Sequence, residues 1–100
     1  DYIYCITFLS DDSGTLDNLR DLFSTHLKKL NLRYKSEKYY PQSGWSTPSI
    51  EEKEEVYFLI KAPEFQPENY KDLIKEAVAY ARKMVKDCLS DVTVSTEGRL

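Results

Sequence analysis

The first nine residues after Asp1, YIYCITFLS, are rich in the aromatic and branched side chains that suit strands. Tyr2, Tyr4, Ile6 and Phe8 make one face of such a strand, and Ile3, Cys5, Thr7 and Leu9 make the other. A strand apolar on both faces belongs in the centre of its sheet. The cluster Asp11-Asp12-Ser13-Gly14-Thr15 then reads as a turn and a helix start, because Asp12, Ser13 and Thr15 each offer an oxygen to the orphan amides of a first turn. From there Leu16, Leu19, Leu22, Phe23, His26, Leu27 and Leu30 recur at helical spacing and form one face. Lys28 and Lys29 lie near the C-terminal end of that helix, where cations suit the dipole.

Residues 32–40 alternate polar and aromatic positions and read as a second strand. Its many charges mark an edge, where Lys discourages unwanted pairing. Residues 41–53 carry Pro41, Gly44, Pro48 and the single Trp45 and read as a long loop. Glu54 and Glu55 lead into a third strand over 56–62, with Val56, Phe58, Ile60 and Ala62 on one face and Tyr57, Leu59 and Lys61 on the other. Pro63 breaks it, and Pro67 suits the first turn of the next helix. Tyr70, Leu73, Ile74, Ala77, Val78, Ala81, Met84, Val85, Cys88 and Leu89 follow the helical period. Ala77, Val78, Ala81 and Val85 are the positions expected to pack on the sheet. Val92 and Val94 then alternate with polar residues in a short fourth strand, and 95–100 reads as a tail.

The order βαββαβ predicts one α+β domain over 1–100, a ferredoxin-like split βαββαβ plait. Right-handed crossovers give a four-stranded antiparallel sheet of order 4-1-3-2 with both helices on one face. Strands 1 and 3, the two most apolar, then lie centrally. The helix-covered face is assigned Val56, Phe58, Ile60 and Ala62 with Ile3, Cys5, Thr7 and Leu9. The opposite face would carry Tyr2, Tyr4, Ile6 and Phe8 beside Tyr57, Leu59 and Lys61. Aromatic residues side by side on an uncovered sheet exceed scattered exposure. They imply either an interface or a cover supplied by the 41–53 loop.

Composition narrows the function. One hundred residues suit one domain, and 41% hydrophobic with 31% charged residues excludes a disordered or fibrous chain. No apolar run approaches the ~20 residues a bilayer span needs, and no signal-peptide pattern is present. The expected compartment is cytoplasmic, with no membrane partner. A net charge of −3 gives no support to phosphate binding. Two cysteines, Cys5 and Cys88, fall on apolar stripes and read as reduced core thiols, the alternative being a disulfide from the first strand to the last helix. One His and no CxxC leave almost no metal ligand set, and no cofactor is expected.

Motifs for chemistry are weak. His26 is the only candidate base and sits on an apolar stripe. Three glycines cannot build a nucleotide loop. Acylphosphatases share this plait but need an Arg between strand 1 and helix 1, and 10–15 has none. The RNA-recognition motif stacks bases on aromatic residues of strands 1 and 3, as Tyr4 and Tyr57 could. However, Glu55-Val56-Tyr57-Phe58-Leu59-Ile60 lacks that motif's basic and glycine positions. The turn Asp12-Ser13-Gly14-Thr15-Leu16 resembles the Asp-x-x-Gly-x-Leu turn of the ACT family of amino-acid-sensing domains, with the Asp displaced by one residue. The resemblance implies a small-ligand regulatory site bordered by Asp12 and Gly14 at a dimer interface.

The expectation is a non-catalytic protein-interaction domain, an inhibitor, immunity-type or assembly module, that binds a protein partner or forms a homodimer. Its contact residues would be Tyr4 and Tyr57 on the sheet with Tyr39, Tyr40, Trp45, Glu52 and Glu54 in and beside the 39–55 loop. Trp and Tyr lead the list of interface anchors, and the acidic run at 51–55 would steer a basic partner. The alternative is a ligand-binding domain of ACT-like type.

Overall fold

A computed structural model describes residues 2–39, 54–62, 70–88 and 91–98, the side chain of Tyr39 excepted. The elements are β1 (Tyr2–Ser10), α1 (Ser13–Lys29), β2 (Tyr34–Tyr39), β3 (Glu54–Lys61), α2 (Tyr70–Asp87) and β4 (Val92–Gly98). They form one antiparallel sheet of order β2-β3-β1-β4. The two apolar strands are central, as their composition requires. This is the ferredoxin-like α+β plait.

The helix ends follow from local chemistry. Asp12 is the N-cap of α1, and its Oδ1 accepts from the Thr15 amide at 3.2 Å. At the other end Asn31 takes the left-handed conformation at φ 58°. The Leu32 and Asn31 amides then donate back to the Leu27 and Lys28 carbonyls, a closure that also buries Leu32. Asn tolerates that backbone because its short side chain competes well for local hydrogen bonds.

The core lies between the sheet and the helices. Phe8, Phe23 and Phe58 meet edge to face, with centroids 4.8–6.1 Å apart. Leu16, Leu19 and Leu27 of α1 and Ile74, Ala77, Val78 and Ala81 of α2 complete it. Val85 is half-buried against the same cluster.

Two expectations need correction. The first concerns β1. Ile6 and Phe8 are fully buried under the helices and Tyr4 packs on that side, whereas Cys5, Thr7 and Leu9 line the open face; Ile3, in the irregular stretch between Tyr2 and Tyr4, also packs against the core cluster. Register decides this, because Ile6 pairs with Phe58 and Phe8 with Val56, and partners directly across a ladder share a face. The larger side chains fill the space beneath two helices. Tyr2 departs from its parity because the register shifts between Tyr2 and Tyr4. It pairs with Lys61, whose Nζ lies 5.8 Å from its ring centroid.

The second concerns the tail. β4 continues to Gly98, which pairs with Tyr4. A Cβ there would sit 2.3 Å from Tyr4 Cδ2 and 2.6 Å from the Ile3 carbonyl oxygen, so the strand closes beside the β1 irregularity only as glycine. β2 is the edge strand its charges predict, and from it Lys38 turns inward. Its Nζ donates to Ser13 Oγ at 2.6 Å and to Asp17 Oδ1 at 2.9 Å, and approaches Glu54 Oε2 at 3.3 Å.

Candidate interaction surface

The face of the sheet opposite the helices is built from alternate residues of all four strands. Pairing places Lys35, Leu59, Cys5 and Glu97 in one row and Glu37, Tyr57, Thr7 and Ser95 in the next. Leu9 lies across from Glu55 at one end, and Tyr2 from Lys61 at the other. Ile3, Cys5, Leu9, Tyr57 and Leu59 are all half-buried, and Tyr2 is 45% exposed. The apolar part of the two middle rows is therefore Leu59, Cys5 and the Tyr57 ring on the central strands, with Thr7 beside them and the charges Lys35, Glu37 and Glu97 on the edge strands. An open groove of about 440 Å³ lies at its Tyr2 end, lined by residues 2–5 of β1 with Leu59, Glu97 and Gly98.

Three charged or polar groups on this face form one network. The Tyr57 hydroxyl donates to Glu37 Oε2, and Lys35 Nζ lies 3.2 Å from Glu37 Oε1. The Tyr57 bond and the lysine beside it hold the Glu37 carboxyl below its ordinary range. The same partner raises the Tyr57 phenol and the Lys35 ammonium. Cys5 Sγ lies 3.6 Å from Thr7 Oγ1, and both Cys5 and Cys88 are free thiols, each half-buried.

Of the sequence-assigned contact residues, Tyr57 is where it was expected. Tyr4 packs mainly against the core on the α2 side, bordering a recess with Lys75, Val78, Ala79 and Arg82, and also lines the open-face groove. Glu54 lies beneath α1 with Lys38 instead of joining an exposed acidic run. Tyr40, Trp45 and Glu52 lie outside the described residues, as does the Tyr39 side chain. Asp12 caps α1, and Gly14 stands in its first turn, where a Cβ would touch Asp12 Oδ1 at 3.4 Å. The open-face positions Cys5 and Leu9 were not legible because both parities of β1 are apolar. The alternation of Lys35 and Glu37 on β2 was the available signal, since charged positions mark the wet side of an edge strand.

His26 is set against α2, its ring stacked on Tyr80 with centroids 3.9 Å apart. Burial holds its pKa below the ordinary 6.5, opposed by the Glu76 carboxylate and assisted by Lys29. Its Nε2 is buried with no hydrogen-bond partner among the described residues. A base needs access to the proton it takes, and this imidazole is instead a packing element between the helices. Among the described residues no three metal-ligating side chains gather, and no helix is long and apolar enough to cross a membrane.

Topology and layering thus define the α+β plait as the class. No protein-family model matches the chain, and no curated protein matches it in sequence. The likeness is to solved structures. The de novo designed protein Foldit4 superposes with a TM-score of 0.58 at 14% identity, over 98% of this chain and 97% of its own. A formyltetrahydrofolate deformylase from Pseudomonas putida matches with a TM-score of 0.54 at 8% identity; the match covers 99% of this chain and 29% of the deformylase. A PII-like protein from Thermus thermophilus matches with a TM-score of 0.50 at 12% identity, over 97% and 85% of the two chains. At such identities the likeness is one of fold alone, and function rests on the site.

Proposed function

We propose that this chain is a non-catalytic interaction domain that binds a protein partner through the open face of its sheet. One observation carries the reading. Cys5 and Leu59 stand side by side in the middle of a face that no helix among the described residues covers, with Tyr57 in the next row and Leu9 at one end. A contiguous apolar patch on a sheet, rimmed by charge, is the surface expected of an interface. Fixed charges at its ends supply register and steering. The aromatic segment Tyr39, Tyr40 and Trp45 joins this reading from the sequence alone, as a neighbouring source of anchors.

The test is Leu59→Glu. Leu59 contributes to the open face and not to the helix-covered core. The variant is expected to keep the wild-type far-UV spectrum while losing the proteins that quantitative affinity capture recovers with the wild type. Equal recovery by both chains would remove the open face as the binding surface. The small-ligand alternative places its site at Asp12 and Gly14, where the carboxylate is engaged in capping. A thermal-shift screen with amino acids and nucleotides is its test, since a ligand that binds the folded state raises the melting temperature.

A further inference from the structure

We infer that the occupant of the open face is a second copy of this chain, related by a two-fold axis that lies in the interface at right angles to the strands. This rests on the reading of that face as an interface and goes beyond it by naming the partner. The carrying observation is how charge is distributed along the two charged strands. On β2 the order along the open face is Lys35 then Glu37; on β3 it is Lys61 at one end and Glu55 at the other. The ladder aligns Lys35 with Leu59 and Glu37 with Tyr57. On both strands the sign therefore reverses across the same line, between the Leu59 row and the Tyr57 row.

An isologous interface must match itself under a half-turn. A half-turn about that line sets Lys35 over Glu37 of the second copy and Lys61 over its Glu55. The same operation sets Leu59 over Tyr57 and Cys5 over Thr7, so the two central rows meet each other and Leu59 packs on the Tyr57 ring. Lys35 and Glu37 already pair within one chain at 3.2 Å, and the half-turn extends the pair into an alternating four-charge cluster. Strands of the two sheets then run nearly parallel to one axis, as in aligned sheet packing. A face four strands wide and eight residues long covers roughly 500 Å² in projection, at ~4.8 Å between strands and ~3.3 Å per residue. Two copies then bury about 1,000 Å², the lower bound for a specific interface. The dimer is accordingly a reversible one whose population depends on concentration.

The experiment combines sedimentation velocity on the full chain with alkylation of Cys5, followed by peptide mass to separate it from Cys88. The wild type is expected to rise from 11.7 kDa towards twice that mass with concentration, and Cys5 to become protected over the same range. Lys61→Glu and Glu55→Lys each place like charges together twice per dimer, so each should weaken association by about tenfold or more. An equimolar mixture of the two restores opposite charges at both contacts and should recover the dimer. A monomeric wild type with Cys5 reactive at every concentration overturns the second copy while leaving the face open to a different partner. A monomer with Cys5 protected throughout means the chain covers its own face, and both readings fail. A dimer in which Cys5 stays reactive, or which the mixture does not restore, uses another surface and also overturns the inference.

Discussion

Replacing Lys38 by Met removes a cation that is only 10% exposed and bonds or pairs with Ser13, Asp17 and Glu54. Asp17, at 60% exposure, recovers water when the lysine goes, and its pair is worth no more than ~1 kcal/mol. Glu54 behaves differently. Its side chain is 24% exposed, its Oε2 has no hydrogen bond among the described residues, and Lys38 is the cation facing it at 3.3 Å. Removing one member of a buried pair leaves an uncompensated charge, at a cost of roughly 3–5 kcal/mol when burial is complete. Partial burial reduces this, and the lost bond to Ser13 Oγ adds about 1 kcal/mol. The expected destabilisation is about 2–3 kcal/mol. With a urea m-value of ~1–2 kcal/mol/M, the unfolding midpoint should fall by roughly 1–3 M. Far-UV circular dichroism during urea titration reads it directly. Adding Glu54→Met to Lys38→Met should recover more than half of the loss, because the orphaned carboxylate is then gone. A single variant within about 0.5 kcal/mol of wild type, or a double variant worse than the single, would refute the account of Lys38 as a buried anchor between β2, β3 and α1.

Ala81 is fully buried at the centre of the α2 face, so Ala81→Asp should cost several kcal/mol through an unpaired buried charge; a melting temperature within a degree or two of wild type would contradict the packing of α2. Gly98→Ala forces a Cβ against Tyr4 Cδ2 and the Ile3 carbonyl, and should cost about 1–3 kcal/mol by thermal melting, with amide exchange rising along β4. His26 has a folded pKa below its unfolded value near 6.5, so the unfolded state binds the proton more readily. Stability should be complete above pH 6.5 and fall as the pH drops through that value towards the folded pKa. His26→Phe keeps a ring on Tyr80 and should flatten the urea midpoint between pH 7 and 5; an unchanged slope would show that other groups set it.

The tertiary network also explains which parts of the candidate surface the chain announces. β3 carries large apolar residues on one parity and Tyr57, Leu59 and Lys61 on the other, so its two faces are legible from alternation alone. α2 is legible for the same reason at helical period, and Ala77, Val78 and Ala81 lie where the spacing puts them. Helix starts and strand order also follow from local rules, since Asp12 can cap only what comes after it and right-handed crossovers leave one sheet order for βαββαβ.

β1 has no such marker. Tyr4, Ile6 and Phe8 and the set Ile3, Cys5 and Leu9 are equally apolar, and a single residue of slip exchanges the two faces. Its register with β3 and the space beneath α1 and α2, filled by Phe8, Phe23 and Phe58, selected the face that is buried. The irregularity between Tyr2 and Tyr4 and the close approach of Gly98 arise only when β1, β3 and β4 are paired, so 95–98 reads as polar tail until the ladder with β1 satisfies its backbone. Lys38 looks like an edge lysine until α1 brings Ser13 and Asp17 above it. Periodicity along one segment determined the elements and their order. The faces of β1, the inward turn of Lys38 and the make-up of the open surface were decided by pairing and packing between distant segments, because only there do side-chain volume and charge find what they must fit against.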